Sequence, residues 1–301
     1  MSATADQIIE RRKARRKLAF WRILAIVAVV VAVIALLPKP DLATSDSVAR
    51  VSIDGIILDD PKRDRAIRAL ADDDTVKAVI VRVNSPGGTV SASETLYLAL
   101  RHVADEKPVV AVMSEYAASG GYIAAISADH ILARGNTLTG SIGVVAEVPN
   151  IAGLMEMLGV EVTRIKSAPL KAEPAITAPP SPEALLAQEA LINDMFVWFR
   201  DLVAERRELS GSALAGVIDG RAFTGRQALD RGLIDALGGE DAARTWLADE
   251  REIDAGTPIR DVSWKDPDTP WPLALIGDAA ASLTDADRFF SPVPRLYTII
   301  Q

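Results

Sequence analysis

Apolar segments rich in β-branched residues alternate with helical segments, and this alternation constrains the fold most. The segment VKAVIVRV occupies residues 76–83, and such a run without polar alternation is typical of a parallel strand buried on both faces. The turn signal NSPGG follows it, residues 91–106 then have helical periodicity, and PVVAVMS at 108–114 indicates the next strand. Strands that alternate with helices predict an α/β domain with a largely parallel sheet.

The alternation continues in the second half of the chain. We expect a strand over residues 160–166 and, after a proline-rich loop, a helix that begins at Pro182 and runs to about residue 208. Serine is a favourable N-cap, as Ser181 would be here, and proline is favoured in the first helical turn. The apolar stripe of this helix indicates a packing face and consists of Leu186, Leu191, Phe196, Phe199 and Leu202.

An apolar run near the N-terminus predicts a membrane anchor. Residues 23–37, ILAIVAVVVAVIALL, contain no polar side chain, and with the flanking aromatic residues the segment approaches the roughly 20 residues that span a bilayer. The basic cluster RRKARRK before it predicts a cytoplasmic segment over residues 1–22. The linker over residues 38–47 lacks a small-x-small cleavage site, which favours an uncleaved anchor over a signal peptide. The body of the chain then lies on the opposite side of the membrane.

Composition excludes several kinds of chemistry. The chain contains no cysteine and only two histidines, His102 and His130, so thiolate nucleophiles are excluded and no zinc motif can be assembled from the histidine spacing. A phosphate-binding glycine loop is also missing from the sequence. The net charge is −8 although residues 1–40 are basic, so the rest of the chain is strongly acidic and would repel a nucleic-acid backbone. We expect no cofactor, no metal and no nucleic-acid partner.

The stretch AASGGYIAA places Ser119 where a strand passes into a helix. A helix N-terminus offers unpaired N–H groups and a positive dipole end, and Gly120 would let a substrate backbone approach closely. The glycine turn at residues 87–88 ends the neighbouring strand and can direct a second N–H group to the same point. Taken alone, this pattern favours a helix-capping serine over a nucleophile.

A nucleophilic serine needs a base, and the two histidines are poorly placed for that role. His130 heads the apolar segment HILA and is best interpreted as a strand-end residue, whereas His102 lies late in an amphipathic helix. A lysine is the obvious substitute, provided that burial lowers its pKa from about 10.4 and keeps it neutral. Ser–Lys variants of the catalytic triad occur on several folds.

Four motifs in order carry a resemblance to a known family. They are NSPGG, AASGGYIAAISAD, TLTGSIGVV and DGRAFTGRQALDRGLIDALGG. In these motifs the chain closely resembles the signal peptide peptidase A family in its short, single-domain form. Members are membrane-anchored serine proteases with a Ser–Lys dyad on a ClpP/crotonase-like fold, an α/β superhelix of repeated β-β-α units. The resemblance implies a protease domain over residues 48–250 and leaves residues 251–301 as a C-terminal extension.

The resemblance also implies the catalytic dyad. Ser119 corresponds to the nucleophile. The family's K-S-G-x-x-K-D-like segment corresponds to KSAPLKA at residues 166–172, so the second lysine, Lys171, corresponds to the general base. Ala168 and Ala172 stand where the family often has glycine and aspartate, and these departures concern the loop and not the dyad.

Further site residues follow from the same resemblance. Ser141 corresponds to the position whose hydroxyl contacts the lysine, with Thr139 as the alternative. The backbone N–H groups of Gly88 and Gly120 are expected to form the oxyanion hole, a prediction that also uses the two glycine turns described above.

The function implied by the resemblance is degradation of remnant signal peptides after their release from preproteins. The protein would sit in the bacterial inner (cytoplasmic) membrane as a single-pass protein, with its protease domain on the outer or periplasmic side. It would cleave apolar peptides and assemble into a homo-oligomeric ring. Three alternatives stay open at this point: a related Ser–Lys protease that cleaves a specific membrane protein partner, a crotonase-type acyl-CoA enzyme, and a catalytically silent membrane scaffold.

Overall fold

A computed structural model of the chain describes residues 21–22, 46–264 and 297–298. Within them the protein is a mixed α/β structure built on a sheet of eight strands, which confirms the predicted fold class at this level. The strands are β1 Ser47–Asp54, β2 Val76–Ser85, β3 Gly88–Thr89, β4 Val109–Ala118, β5 His130–Ala133, β6 Leu138–Gly140, β7 Ala222–Thr224, β8 Ala236–Leu237, β9 Ile259–Asp261 and β10 Tyr297–Thr298.

The helices connect and cover the strands. They are α1 Pro61–Arg68, α2 Val90–Ala104, α3 Gly120–Ala125, α4 Ala152–Met157, α5 Pro182–Arg207, α6 Gly211–Ala215, α7 Gly225–Asp230 and α8 Glu240–Arg251. Thr89 caps α2 through a hydrogen bond from the Ala92 N–H group, and Ser181 caps α5 through one from the Ala184 N–H group. The predicted start of the long helix at Pro182 is therefore confirmed.

The main path through the sheet runs β7-β6-β4-β2-β1-β9, with β5 joining β4 to β8. Its pairs are parallel except for β6 with β7, as the sequence predicts for strands joined through helices. β4 divides its length between two neighbours: its first half pairs with β5 and its last residues pair with β6. Separately, β10 pairs antiparallel with β3.

The centre of the sheet is buried on both faces. In β2, Val79 and Val81 face the larger apolar core, which α2, α3 and part of α5 cover. Ala78 and Ile80 face a smaller core closed by α8. Alternate residues of a strand point to opposite faces, so the consecutive buried apolar residues 78–81 of β2 are explained by helices on both sides of the sheet.

The predicted strand over residues 160–166 is wrong. These residues follow α4 without regular secondary structure, and Val160 and Val162 are each about half exposed. Their β-branched composition fits a strand, but a strand also needs a neighbour to pair with, and none of the described strands lies beside them.

The sheet extends into residues 251–301, the segment that the resemblance left as a C-terminal extension. Strand β9 lies in this segment and pairs with β1 at the edge of the sheet.

The predicted membrane anchor at residues 23–37 lies outside the residues that the structure describes. Among those it does describe, no helix combines the length and the apolar character needed to cross a bilayer.

Candidate active site

Ser119 occupies the turn between the end of β4 and the start of α3, in a strained backbone conformation. Its φ is 54° and its ψ is −119°, in a region that non-glycine residues rarely adopt and that costs on the order of 1–3 kcal/mol. The Ser119 N–H group donates to the Gly140 carbonyl at 2.8 Å, and its own carbonyl accepts from the Ile123 N–H group at 3.0 Å. These two bonds hold the turn in place.

The Ser119 hydroxyl does not cap the helix. The residue is 1% exposed, and its Oγ has no hydrogen-bond partner within the part of the chain that the structure describes. A buried hydroxyl without a partner loses the bonds that it would make to water. The capping role that the isolated pattern favours is therefore not what the structure shows.

Helix α3 is fixed against its surroundings along its whole length. All of its residues are buried, and the Tyr122 hydroxyl donates to the Leu233 carbonyl at 2.8 Å. Burial raises the pKa of Tyr122 far above its ordinary value, so this hydroxyl stays a donor. A side chain at Gly121 would come within 2.5 Å of the Ser85 carbonyl oxygen, so a glycine is required for α3 to approach the end of β2.

The Gly88 turn packs closely against the backbone that follows β1. A Cβ atom at Gly88 would lie only 1.9 Å from the Ile57 carbonyl oxygen. The Ile57 N–H group donates to the Gly87 carbonyl at 2.9 Å, and the Thr89 N–H group donates to the Ile57 carbonyl at 3.1 Å. The orientation of the Gly88 peptide therefore depends on where Ile57 lies.

Ser141 and Thr139 differ in how their side chains are used. The Thr139 hydroxyl donates to the Ala117 carbonyl at 2.6 Å and is buried, so it is committed to the sheet. Ser141 is also buried, has a φ of 50°, and is held by a hydrogen bond from its N–H group to the Arg221 carbonyl. It follows Gly140, the residue that accepts the Ser119 N–H bond. Ser141 is therefore the better candidate for a lysine-orienting hydroxyl.

Asn84 fills a bulge in β4 shortly before Ser119, and the sequence did not predict this contact. The pairing of β2 with β4 shifts between Val83 and Ser85, which leaves a bulge in β4. The Asn84 Oδ1 atom fills this bulge by accepting hydrogen bonds from the N–H groups of Glu115 and Tyr116 at 3.2 and 3.3 Å. The signal in the sequence was the asparagine of NSPGG, since short amide side chains often bind backbone groups in turns.

Lys171 lies in the loop between α4 and α5. Its loop is held by other groups: the Lys166 ammonium donates to the Pro169 carbonyl and to Glu173, both at 2.6 Å, and Arg164 also pairs with Glu173. The hydrogen bond from Lys166 lowers the pKa of Glu173, so this carboxylate stays charged. Lys171 itself is exposed, and within the described chain its amine makes no hydrogen bond to Ser119. Ser141 and Gly120 thus lie next to Ser119, and β3, which carries Gly88, contacts α3.

His130 is part of the packing between β5 and α8. Its ring stacks on Trp246 with the centroids 4.8 Å apart and the planes 10° from parallel, and its Nδ1 atom lies 3.8 Å from Asp235. Burial lowers the pKa of His130, with Arg207 acting in the same direction and Asp235 in the other. This agrees with its interpretation as a strand-end residue.

We expect the folded protein to lose stability as the pH falls through about 6.5, the ordinary pKa of histidine. Because the pKa of His130 is lower in the folded state, the unfolded chain binds the proton first, and the contribution of His130 is present only above that pH. His130→Phe keeps a ring on Trp246 and removes this titration. Thermal unfolding at about pH 7.5 and about pH 5.5 should show a smaller drop in Tm for the variant. Equal drops would contradict the prediction.

An elongated cavity of about 750 Å³, called here the α5 cavity, begins directly after Ser141. Its apolar lining comes from Ile142, Val144, Leu186, Phe196 and Ile218, and Glu189 and Asp219 stand on its wall. Its wall therefore combines apolar side chains with polar groups, and such a wall can contact both the side chains and the backbone of a bound peptide. Among the described residues, no three histidine, aspartate or glutamate side chains are grouped as a metal site would need.

The geometry around Ser119 is typical of one class of enzyme. A strained serine on a strand-to-helix turn, whose hydroxyl makes no hydrogen bond to any described residue, is the arrangement of the nucleophile in a serine hydrolase. Glycine turns lie on two sides of this serine, where an acyl-transfer site needs backbone N–H donors for its oxyanion.

Comparison with known proteins then gives the family. Residues 101–254 match the family described as Peptidase family S49, and the matched residues include Ser119, Ser141 and Lys171. The chain belongs to peptidase family S49 and is a serine peptidase.

Individual relatives agree with this assignment. A Synechocystis sp. protein named as a protease is 37% identical over 208 residues, which are 68% of this chain and 75% of that protein. The chloroplastic serine protease SPPA of Arabidopsis thaliana is 36% identical over 225 residues, which are 74% of this chain but only 33% of the relative. The resemblance to the signal peptide peptidase A family is thus confirmed. Among solved structures, a variant of the 1510-N membrane-bound stomatin-specific protease matches with a TM-score of 0.47 and 16% identity, over 73% of this chain and 99% of that one.

Proposed function

We propose that this protein is a membrane-anchored serine endopeptidase that uses Ser119 and Lys171 to degrade remnant signal peptides. The observation that carries the proposal is the strained, buried Ser119, whose Oγ has no hydrogen-bond partner among the described residues. A nucleophile must have its hydroxyl available for a base and a substrate, whereas a structural serine uses its hydroxyl in a bond.

The proposed reaction follows from the chemistry of these groups. Neutral Lys171 takes the proton of Ser119 Oγ as that oxygen bonds to the peptide carbonyl carbon, and the N–H groups of Gly88 and Gly120 stabilise the oxyanion. The lysine then returns the proton to the leaving amine as the C–N bond breaks. It next takes a proton from water, which attacks the acyl-enzyme, and Ser119 regains its hydrogen as the acid is released. Ser141 orients the lysine amine.

A second copy of the chain completes the site in this proposal. Helix α4 buries none of its side chains, and large apolar side chains on it and after it are widely exposed, with Met157 at 81% and Ile165 at 96%. Contiguous apolar surface of this kind is typical of a protein interface. The same segment carries Lys171. A neighbouring copy that covers it would bury the lysine, favour its neutral form and bring it to Ser119 of the other copy, as a homo-oligomeric ring requires.

Membrane attachment through residues 23–37 fits the same activity. With residues 1–22 in the cytoplasm, the peptidase faces the outer or periplasmic side of the bacterial inner membrane. Remnant signal peptides are apolar, and the α5 cavity next to Ser141 presents apolar side chains to receive them. We also propose that the chain has the ClpP/crotonase-like arrangement of repeated units and that the reaction uses no cofactor.

The proposed substrate class is tested by direct competition. Full-length protein in detergent is given equal amounts of a signal-peptide fragment and an apolar tail of an intact membrane protein, and cleavage is followed by mass spectrometry. We expect the fragment to be consumed first, with labelling of Ser119 by a fluorophosphonate probe at alkaline pH. Faster cleavage of the intact tail would instead support a protease for a specific membrane partner, and no labelling would support a silent scaffold or an acyl-CoA enzyme.

A further inference from the structure

A buried ion pair lies on α1, away from the serine. The side chains of Arg63 and Asp64 are 7% and 8% exposed, and the Arg63 Nε atom donates to Asp64 Oδ1 at 2.8 Å. Arginine and carboxylate groups commonly form two parallel hydrogen bonds. Here only one is formed, since Arg63 Nη2 and Asp64 Oδ2 have no partner within the described chain.

Stability alone does not account for this pair. Removing two charges from water is costly, and a buried pair can often be replaced by apolar side chains of similar volume without loss of stability. Two unpartnered polar atoms add to the cost. What the pair provides, and apolar side chains cannot, is a fixed donor: Arg63 Nη1 donates to the Leu58 carbonyl at 3.2 Å.

The Leu58 carbonyl belongs to the loop that forms one wall of the Gly88 turn. Ile57, the residue before it, exchanges backbone hydrogen bonds with Gly87 and Thr89 at 2.9 and 3.1 Å. At the other end of this loop, Asp60 accepts hydrogen bonds from the N–H groups of Lys62 and Arg63 and so fixes the start of α1. The loop is thereby held at Gly88 on one side and at α1 on the other, with Arg63 joining the two.

We propose that Arg63 and Asp64 are a positioning pair for the oxyanion hole. Asp64 orients the guanidinium, the guanidinium holds the Leu58 carbonyl, and Leu58 keeps Ile57 at the distance that sets the direction of the Gly88 N–H group. The pair touches no substrate and acts only through this loop. The inference rests on the proposed role of Gly88 in the oxyanion hole.

The test replaces the pair by apolar residues of similar size in the full-length protein. In the double variant Arg63→Met with Asp64→Leu, we expect Tm to change little and kcat to fall about tenfold with KM nearly unchanged, because an oxyanion donor acts in the transition state. Arg63→Lys, which can still donate to Leu58, should recover most of kcat. The matched control is Arg50→Met, which breaks the ion pairs with Glu240 and Asp261 and should lower Tm without changing kcat.

Unchanged kcat in the double variant would overturn the inference. If that variant unfolds at the assay temperature, Asp64→Asn is the alternative test, because it keeps the side-chain volume and weakens the bond that orients the Arg63 guanidinium. A lower kcat at constant KM in Asp64→Asn supports the positioning role, and an unchanged kcat refutes it. Failure of the proposed function can be distinguished from failure of this inference. Activity that survives Ser119→Ala removes the serine mechanism, and activity that survives Gly88→Ala removes the oxyanion role, whatever the ion-pair variants do.

Discussion

Replacement of Ser119 by alanine is expected to lower kcat/KM for an apolar fluorogenic peptide by at least about 10³-fold, because the reaction loses its nucleophile. Lys171→Ala should have a comparable effect, since an unassisted serine hydroxyl is a weak nucleophile. The two residues act as a unit, so the double variant should be little worse than either single variant. The measurement is the initial rate of hydrolysis by the full-length protein in detergent.

Two control variants remove the same kinds of side chain, a buried serine and a lysine, elsewhere in the protein. Ser127→Ala removes another buried hydroxyl, one that donates to the Ala124 carbonyl at 2.6 Å, and Lys77→Ala removes a surface lysine bound to the Asp74 carbonyl. Both should stay within a few fold of the wild-type rate. Full activity of either Ser119→Ala or Lys171→Ala would remove the proposed dyad.

The same two variants test whether the site is shared between copies. The Ser119→Ala chain keeps Lys171, and the Lys171→Ala chain keeps Ser119. If the dyad is formed between neighbours that combine at random in a ring, about a quarter of the sites in a one-to-one mixture contain both residues, so the mixture should regain about a quarter of the wild-type activity. No recovery, with exchange verified by mass spectrometry, would place the dyad within one chain.

Gly88→Ala is the second change with a large expected effect. The added Cβ would lie 1.9 Å from a backbone oxygen of Ile57, so the turn must shift. We expect kcat to fall by about 10²-fold or more, the cost of losing one oxyanion donor. The control is Gly239→Ala, where the added carbon meets only the Arg134 side chain at 3.8 Å and kcat should be unchanged. A Gly88→Ala enzyme that is folded and fully active would contradict the assignment.

Periodicity and turn chemistry were enough to predict the parts of the fold that depend on neighbours in sequence. The apolar run of β2 predicted a strand buried on both faces, and Ser181 before Pro182 predicted the start of α5. The position of Ser119 at a strand-to-helix junction could also be predicted, since it depends only on adjacent elements.

Features that depend on distant contacts could not be predicted. The φ of Ser119 is set by bonds to Gly140 and Ile123, and the bulge filled by Asn84 depends on the register of β2 with β4. In the sequence, Arg63 and Asp64 look like solvated charges on an amphipathic helix, but the fold buries both of them. The expected strand at 160–166 was wrong because its composition says nothing about a pairing partner.

The pairing of β3 with β10 has a consequence for how substrates are selected. Thr298 and Tyr297 lie opposite Gly88 and Thr89 in antiparallel register, so the edge that carries Gly88 accepts an extended backbone. A chain bound along such an edge is recognised through amides and carbonyls that every sequence offers. It must also run in one direction and be stretched out. A substrate bound along this edge would therefore be selected by chain conformation and direction more than by sequence, as the proposed degradation of remnant signal peptides requires.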